Sequence, residues 1–578
     1  MKLIPRCRQK KRSIQTIVAA LSFMCGTQVL AQSDTIQTNV PALKNIYAKD
    51  FRIGCLLSYR NIGFPTDSAV PGQSAVITPN GGYLIKFHMN NMSPGNNMKP
   101  VYTVDVASSA SAYTAAATQA QKDSVDIHPI IRFNGDLIAQ LNWARRQGFT
   151  FRGHTLVWHN QTPAELFRSG YTTSGTRLTK TVMIQRMDFY MHEVIRLIHE
   201  SWPGLFVAMD VVNEAIDDGT GKVRTSGNEW YTTFGDSSYI IKAFQLARQY
   251  TAQYGEPQIK LYYNDYNTET VIKANGIVAL CTPIFQAGFL DGIGMQEHDA
   301  MTTPSAQDFI ASYNKFDPIC TEMSVTEFDV STNSGTNSPS VSVLATHANQ
   351  YGMLFKCFVE RSYKSGRGKI ISVSKDGLND QYTFVTNQST SLWTALNQCK
   401  PAFFAAVNVG VNYNSLDSLT AYASTLQQNK YTSGSWSVFA SALASAQTAK
   451  AKNYSASVSA DTALGKAKDS LKIAIAGLVT TGVADESGTT VKIYTLSQNY
   501  PNPFNPATHI MYSIPKNSFV SLKVYNVLGR EVATLFTGPR QAGNYAATFD
   551  GSGFASGVYL YRLTAGNFVD TKKFILVK

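Results

Sequence analysis

Cysteine is scarce in this chain of 578 residues, with seven in all. Cys7 and Cys25 lie near the amino terminus, and Cys55, Cys281, Cys320, Cys357 and Cys399 are scattered without any CxxC pair. Neither a zinc site nor a dithiol redox motif is spelled by that spacing. A chain of this length buries a large core without covalent staples, so zero or one disulfide is expected, and the odd count leaves a free thiol. Long apolar runs are missing too: beyond residue 31 nothing approaches the ~18 residues of a membrane helix. Charge of one sign is also thin. Lys and Arg total 51 against 39 Asp and Glu, but six of the basic residues fall within residues 1–31, which leaves 45 against 39 and a net +6. With no long basic run in the remainder, nucleic acid is a poor candidate partner.

Residues 1–31 read as a secretory signal peptide. MKLIPRCRQKKRS is a basic head, Ile14 to Met24 is a short apolar core, and Val29-Leu30-Ala31 is a small-residue cleavage site. Ser22-Phe23-Met24, before Cys25, lacks the small residues that lipid attachment requires. Beyond this segment, at roughly 150 residues per domain, two to four domains are expected.

From Leu43 to about Val411, eight short β-like runs alternate with amphipathic helical stretches such as Gly135 to Gln147, Thr181 to Glu200 and Tyr239 to Tyr254. The runs are FRIGCLLS, GGYLIKFHMN, FTFRGHTLVWH, LFVAMDVVNE, IKLYYND, GIGMQEH, MSVTEF and KIISVS. That alternation and that number predict an α/β fold, a (β/α)8 barrel. Several runs finish in polar residues: His88, His154, Asn213, Glu214, Asn264, Gln296 and Glu327. Active sites of such barrels are built at the carboxyl ends of the strands. Two glutamates delivered there from different strands, Glu214 in VAMDVVNEAIDDG and Glu327 in MSVTEFDVS, are the minimum equipment for cleaving a glycosidic bond. His88 and His347 read as core histidines. Tyr262 and Tyr263 alternate in direction, so only one can face the barrel axis. Ala107 to Asp126 reads as a surface insertion.

The composition shifts after Tyr413. Residues 414–478 carry helical spacing in three Ala/Ser/Lys-rich stretches, with Ser433 and Ser459 as candidate N-caps, and predict a small three-helix module. VTTGVADESGTT is a polar linker, placed at 479–494 with its flank. Residues 495–578 open with a Pro/Asn-rich loop and continue as short alternating strands with Gly-rich turns, which predict a C-terminal β-sandwich.

With GHTLVWHNQTP, DVVNEAIDDG, LYYNDYN, GIGMQEH and VTEFDVS in order, the barrel region 32–413 resembles family 10 glycoside hydrolases, which are retaining endo-β-1,4-xylanases. The resemblance implies Glu214 as acid/base and Glu327 as nucleophile, with Asn213 binding the sugar 2-hydroxyl. It implies His298 and Asp329 as the pair that keeps the nucleophile ionised. Asn96, Lys99, His154, Trp158, Gln161 and Gln296 match glycone-lining positions, and Asn264 a site position after the fifth strand. No metal and no cofactor is implied, and the implied partner is xylan or a related β-1,4-linked plant polysaccharide. The helical module resembles a FIVAR module. The last domain, with QNYPNPFNPAT, VYNVLGREVATL and SGVYLYRL, resembles the sorting domain of type IX secretion. That implies contact with the secretion machinery and a secreted or surface-attached product.

Two places depart from the family's pattern. Where the family reads TPENEMK, this chain has Ser93-Pro94-Gly95-Asn96-Asn97-Met98-Lys99, so a glycone-binding glutamate becomes Gly95. Where it reads WGxxDxxSW, this chain places Asp376 and Phe384 at the two tryptophans. Loss of a stacking platform worth ~1 kcal/mol or more predicts weakened or shifted glycone binding. A related β-1,4-glycanase or aryl-β-glycosidase therefore stands as an alternative, and a non-catalytic carbohydrate-binding protein as another.

Overall fold

The computed structural model describes residues 36–56, 81–336, 338–363, 365–381, 383, 388–451, 460–478, 493–527, 529–540 and 542–577. The signal segment 1–31, the linker 479–490, Ser459 and Phe384 lie outside the described residues. The described chain divides into two contact units, one ending at Val479 and one beginning at Thr480.

The first unit is built on a closed parallel barrel. Its strands are β1 (Arg52–Leu56), β2 (Asn91–Ser93), β3 (Thr150–Trp158), β4 (Phe206–Asn213), β5 (Lys260–Asp265), β6 (Gly292–Met295), β8 (Glu322–Ser331) and β9 (Lys369–Asp376). β7 (His298–Ala300) is a short parallel addition beside β8. β1 pairs with β9 at one side and β6 with β8 at the other, which closes the ring. Parallel strands covered by helices are buried on both faces, and eight consecutive residues of β3 and of β8 are buried accordingly.

The helices start and stop where their end chemistry dictates. The Asn134 side chain accepts from Leu137 N at 2.8 Å to open Gly135–Gln147, and Gly148 ends it at φ 70°. Thr179 caps Lys180–Ser201 in the same way. Ala107 to Asp126, expected as an insertion, holds two helices, Val106–Ala115 and Gln119–Ile127, the second opened by a Thr118/Gln121 capping box. Asp126 at its end is buried against Arg186, which donates to it at 3.0 Å.

One β-like run is a helix. Gly81–His88 buries Gly81, Gly82, Leu84, Ile85 and His88, a three-to-four-residue period, and the second barrel strand is the three-residue segment Asn91–Ser93 that follows. His88 packs among Phe87, Trp393 and Phe403, and His347 Nε2 lies 2.9 Å from the Val330 carbonyl. Both are core residues.

The structure also departs from the boundary drawn after residue 413. One helix, Pro401–Ala423, runs through it. Phe439, Ala446, Leu464 and Leu471, from the helices Ser433–Ala451 and Ala460–Ala476, join the same apolar cluster as the barrel core. A shared helix and a shared core make the helical region an extension of the barrel unit. All five cysteines of the described residues are free thiols, four of them buried.

The strand ladders of the second unit are antiparallel. β10 (Thr495–Leu496), β11 (Ala507–Ile514) and β14 (Gly543–Asp550) form one sheet, and β12 (Ser518–Asn526), β13 (Glu531–Arg540), β15 (Gly557–Ala565) and β16 (Phe568–Leu576) the other. Alternate residues such as Val520, Leu522 and Val524 enter a common core with Ile510, Tyr561 and Phe574, as a two-layer β-sandwich requires. No described helix is long and apolar enough to cross a membrane.

Candidate active site

The barrel interior beneath the strand ends is polar and closely paired. Arg152 on β3 makes a two-pronged contact with Asp210 on β4, with Nε donating to Oδ2 at 3.1 Å, and stacks over the Tyr262 ring at 4.1 Å. Tyr262 donates to Glu322 at 2.6 Å, while Tyr263 belongs to the outer apolar core and donates to Asp265. A Cβ on Gly292 would collide with the Tyr262 ring and one on Gly294 with Asn264 and Arg152, which is why β6 reads GIGM. His154 Nδ1 lies 3.0 Å from Asp210 Oδ2, so the same aspartate orients the histidine above it.

Over this floor opens a cleft of about 1070 Å³. Its lining includes Glu214, Glu327, Asn213, Gln296 and His298, and also Asn96, Lys99, His154, Trp158 and Gln161. Asn264 and Asp329 stand directly behind it, both almost wholly buried. All twelve residues singled out in the sequence therefore come together.

The two glutamates are joined through amides. Asn213 Nδ2 donates to Glu214 Oε1 at 3.1 Å. Asn264 Nδ2 donates to Asn213 Oδ1 at 2.9 Å and to Glu327 Oε1 at 3.1 Å. Gln296 Nε2 donates to Glu214 Oε1 at 2.8 Å, and Thr326 holds the far side of Asn264 by donating to its Oδ1 at 2.8 Å. Glu214 receives a further bond from Trp158 Nε1 at 3.0 Å. Its backbone stands at φ 53°, in the left-handed region that costs a non-glycine residue on the order of 1–3 kcal/mol, a strain typical of functional positions.

Cations surround Glu327. His298 Nε2 lies 3.6 Å from its Oε2, and His298 Nδ1 lies 3.5 Å from Asp329 Oδ2. Burial alone would push the Glu327 carboxyl up, but the bond from His298 and the charges of His154, His298 and Lys99 hold it down at about 2. Burial would lower His298, and the two carboxylates beside it raise it well above its ordinary value. Lys99 is buried with Nζ donating to Asn96 at 2.7 Å and Gln161 at 2.8 Å, and sits 4.5 Å above the Trp158 ring. Burial lowers Lys99, against the pull of Glu327, Glu214 and Asp376.

Other lining residues were not foreseen: Leu56, Asn160, Tyr266, Asn267, Gly377, Gln381 and Thr383. Tyr266 and Asn267 close the LYYNDYN segment, and a polar tail after a strand was the available signal for them. Tyr266 is set by Arg224, which donates to its hydroxyl at 2.7 Å, and by its own bond to Asp218 at 2.8 Å. Gln381 and Thr383 come from a loop with no periodic pattern. Asp380, next to Gln381, is held by Lys400 Nζ, which meets both of its oxygens at 3.0 Å.

A closed α/β barrel whose strand ends deliver two amide-bridged carboxylates, one of them ringed by cations, is the architecture of the barrel glycoside hydrolases. More narrowly, the chain belongs to glycosyl hydrolase family 10, which residues 43–409 match. Residues 498–578 match the secretion system C-terminal sorting domain. Among curated relatives, the chain is 31% identical over 396 residues to endo-1,4-beta-xylanase Y of Acetivibrio thermocellus, covering 66% of this chain and 33% of that one. It is 28% identical over 381 residues to endo-1,4-beta-xylanase B of Butyrivibrio fibrisolvens, covering 65% and 54%. The matched part thus spans between a third and about half of those relatives. Among solved structures, endo-1,4-beta-D-xylanase 10B of Clostridium thermocellum complexed with xylohexaose aligns with a TM-score of 0.54 at 28% identity, covering 64% of this chain and 69% of that one. An intracellular xylanase from Thermoanaerobacterium saccharolyticum complexed with xylotriose aligns at 0.52 and 25% identity, covering 64% and 100%.

Proposed function

We propose that the chain is a secreted, retaining endo-β-1,4-xylanase that cleaves internal xylosidic bonds of xylan by double displacement. The observation that carries the reading is the unequal setting of two bridged carboxylates: Glu327 among cations, Glu214 among neutral donors. Two carboxylates given different surroundings take different roles.

In the first step Glu327, ionised, attacks the anomeric carbon and the bond to the leaving oxygen breaks, with Glu214 giving that oxygen a proton. The product is a glycosyl ester on Glu327. Its charge is now gone, and Glu214, a carboxylate, takes a proton from water as the water oxygen attacks the same carbon. The ester bond breaks, Glu327 leaves as a carboxylate, and two inversions sum to retention. Asn213, bonded to Glu214 and through Asn264 to Glu327, is placed to hold the sugar 2-hydroxyl. His298 and Asp329 keep Glu327 charged and oriented, and Lys99, Asn96, Gln161, His154, Trp158 and Gln296 bind glycone hydroxyls and ring faces.

Xylan as substrate is supported by the xylanase names of the relatives and by the xylo-oligosaccharides in the aligned structures. The type IX route, ending at or outside the cell surface, is supported by the sorting-domain match, and export by a signal peptide by the basic head and apolar core of residues 1–31. A second reading, a related β-1,4-glycanase, is favoured by one feature: Gly95 and Asp376 both face the cleft where the family has a glutamate and a tryptophan. Hydrolysis of xylan and of carboxymethyl-cellulose, with product anomers followed by NMR, tests both. β-Anomer formed first on xylan supports the proposal, activity on the cellulosic substrate alone supports the second reading, and α-anomer formed first overturns the double displacement.

A further inference from the structure

One titratable side chain in the cleft has no part in the reaction above. Asp376 ends β9 and lines the same cavity as Glu327, Lys99 and Gly95, with only 7% of its surface exposed. Its backbone is fixed on both sides: Lys375 Nζ donates to its carbonyl at 2.6 Å, and Gly377 N donates to the Leu56 carbonyl at 2.9 Å. Burial pushes its carboxyl up to about 6, helped by Asp329 and Glu327 and opposed by His298 and Lys375. Its charge also acts on Lys99.

The matching change lies on the same lining. Gly95, at φ 57°, offers no side chain where the family's pattern supplies a sugar-binding glutamate, yet Asn96 and Lys99 next to it remain in place and paired. One acceptor is gone from the loop after β2, and one has been added at the end of β9, where the family has an indole that cannot accept a hydrogen bond.

We propose that Asp376 is a specificity-determining residue that takes over, from strand β9, the sugar-hydroxyl acceptor missing at Gly95, and binds a hydroxyl of the glycone unit beside Lys99. The inference rests on the glycosidase reading above and adds the class of sugar: an uncharged β-1,4-linked pyranosyl unit, with a uronic acid excluded by like charge. A hydrogen bond to a charged group is worth roughly 10- to 100-fold in affinity.

The test compares the wild type with Asp376→Ala and Asp376→Asn. Calorimetric binding of xylobiose and cellobiose is measured beside steady-state kinetics on their p-nitrophenyl β-glycosides. The expected result for Asp376→Ala is disaccharide binding weakened roughly 10- to 100-fold and KM raised in step, with kcat within a few fold of wild type. Asp376→Asn, which keeps the shape and one acceptor oxygen, recovers part of the loss and guards against a folding failure. Binding of both disaccharides within twofold of wild type in Asp376→Ala overturns the proposal. If the wild type cleaves neither glycoside, the enzymatic reading fails, while the calorimetric comparison still decides the role of Asp376.

Discussion

Glu214 and Glu327 hang from one chain of amides, yet their surroundings differ in kind. Glu327 is almost buried, faces His298 at 3.6 Å with Asp329 behind it, and sits at about 2. Glu214 is partly open to the cleft and held by an indole and two carboxamides, none of them charged. A charged group can be kept in a buried place only if partners outweigh the loss of water. His298 and His154 do that at Glu327, whereas Lys99 acts on both glutamates and Arg224 reaches Glu214 only at its backbone carbonyl, at 3.1 Å. Roles in a carboxylate pair are thus assigned by neighbours and not by the residue type, which is the same at both positions.

Replacement of the two groups should break the comparison most sharply. Under the proposed double displacement Glu327→Ala removes the attacking atom, and kcat on xylan should then fall on the order of 10⁵-fold, the scale seen when a member of a nucleophilic machinery is lost. Glu214→Ala should cost about 10²- to 10⁴-fold on xylan, the range for a lost general acid. On an aryl glycoside with a good leaving group the first-step loss should shrink, because that oxygen needs little protonation. Equal losses on both substrates would contradict the division of labour.

The floor under the two groups is the next target. Asp210 pairs with Arg152 and orients His154, and all three are buried. Asp210→Ala should destabilise the barrel by about 3–5 kcal/mol, because Arg152 is left as an uncompensated buried charge. Denaturant unfolding of the variant against wild type measures this, and a loss below about 1 kcal/mol would mean the pair behaves like a surface one.

The smallest effect is one of pH. Glu327 sits at about 2 in the folded protein, against ~4.3 in an unfolded chain. A depressed carboxyl stabilises the fold fully above the unfolded value, and that contribution is lost as pH falls from there through about 2. The amount is on the order of 3 kcal/mol at neutral pH. The difference in melting temperature between wild type and Glu327→Gln should therefore be steady above pH 5 and shift against the wild type on going towards pH 2. A difference that does not change with pH would show that the cations around Glu327 do not hold it ionised.

Most of the barrel was legible because a buried parallel strand leaves a plain trace: a short apolar run that ends in polar residues. GHTLVWH, DVVNE, LYYND, GIGMQEH and VTEF all end in the cleft or directly behind it. GGYLIKFHMN failed because its apolar residues alternate loosely enough to pass for a strand, whereas burial of Leu84, Ile85 and His88 follows a helical period. The true second strand is only three residues long, too short to carry a periodic signal. Gln381 and Thr383 left no trace because no apolar period marks them, and Asp380 beside Gln381 is held by Lys400, a residue distant in the chain.

The boundary drawn from composition falls inside a helix. Composition changes after Tyr413, but the helix Pro401–Ala423 does not stop there, since helix ends are set by caps and packing and not by average composition. What the sequence alone determined was the kind of molecule: an α/β barrel with two strand-end glutamates, an Ala-rich helical stretch and an alternating β-sandwich. Those are local properties, written in period and residue type. Only the tertiary structure decided which glutamate is ringed by cations, that two amides in series join the pair, and that Asp376 and Gly95 line one cleft. Each of these depends on residues far apart in the chain, and the electrostatic work of burying a charge is set by whichever neighbours the closed barrel brings to it.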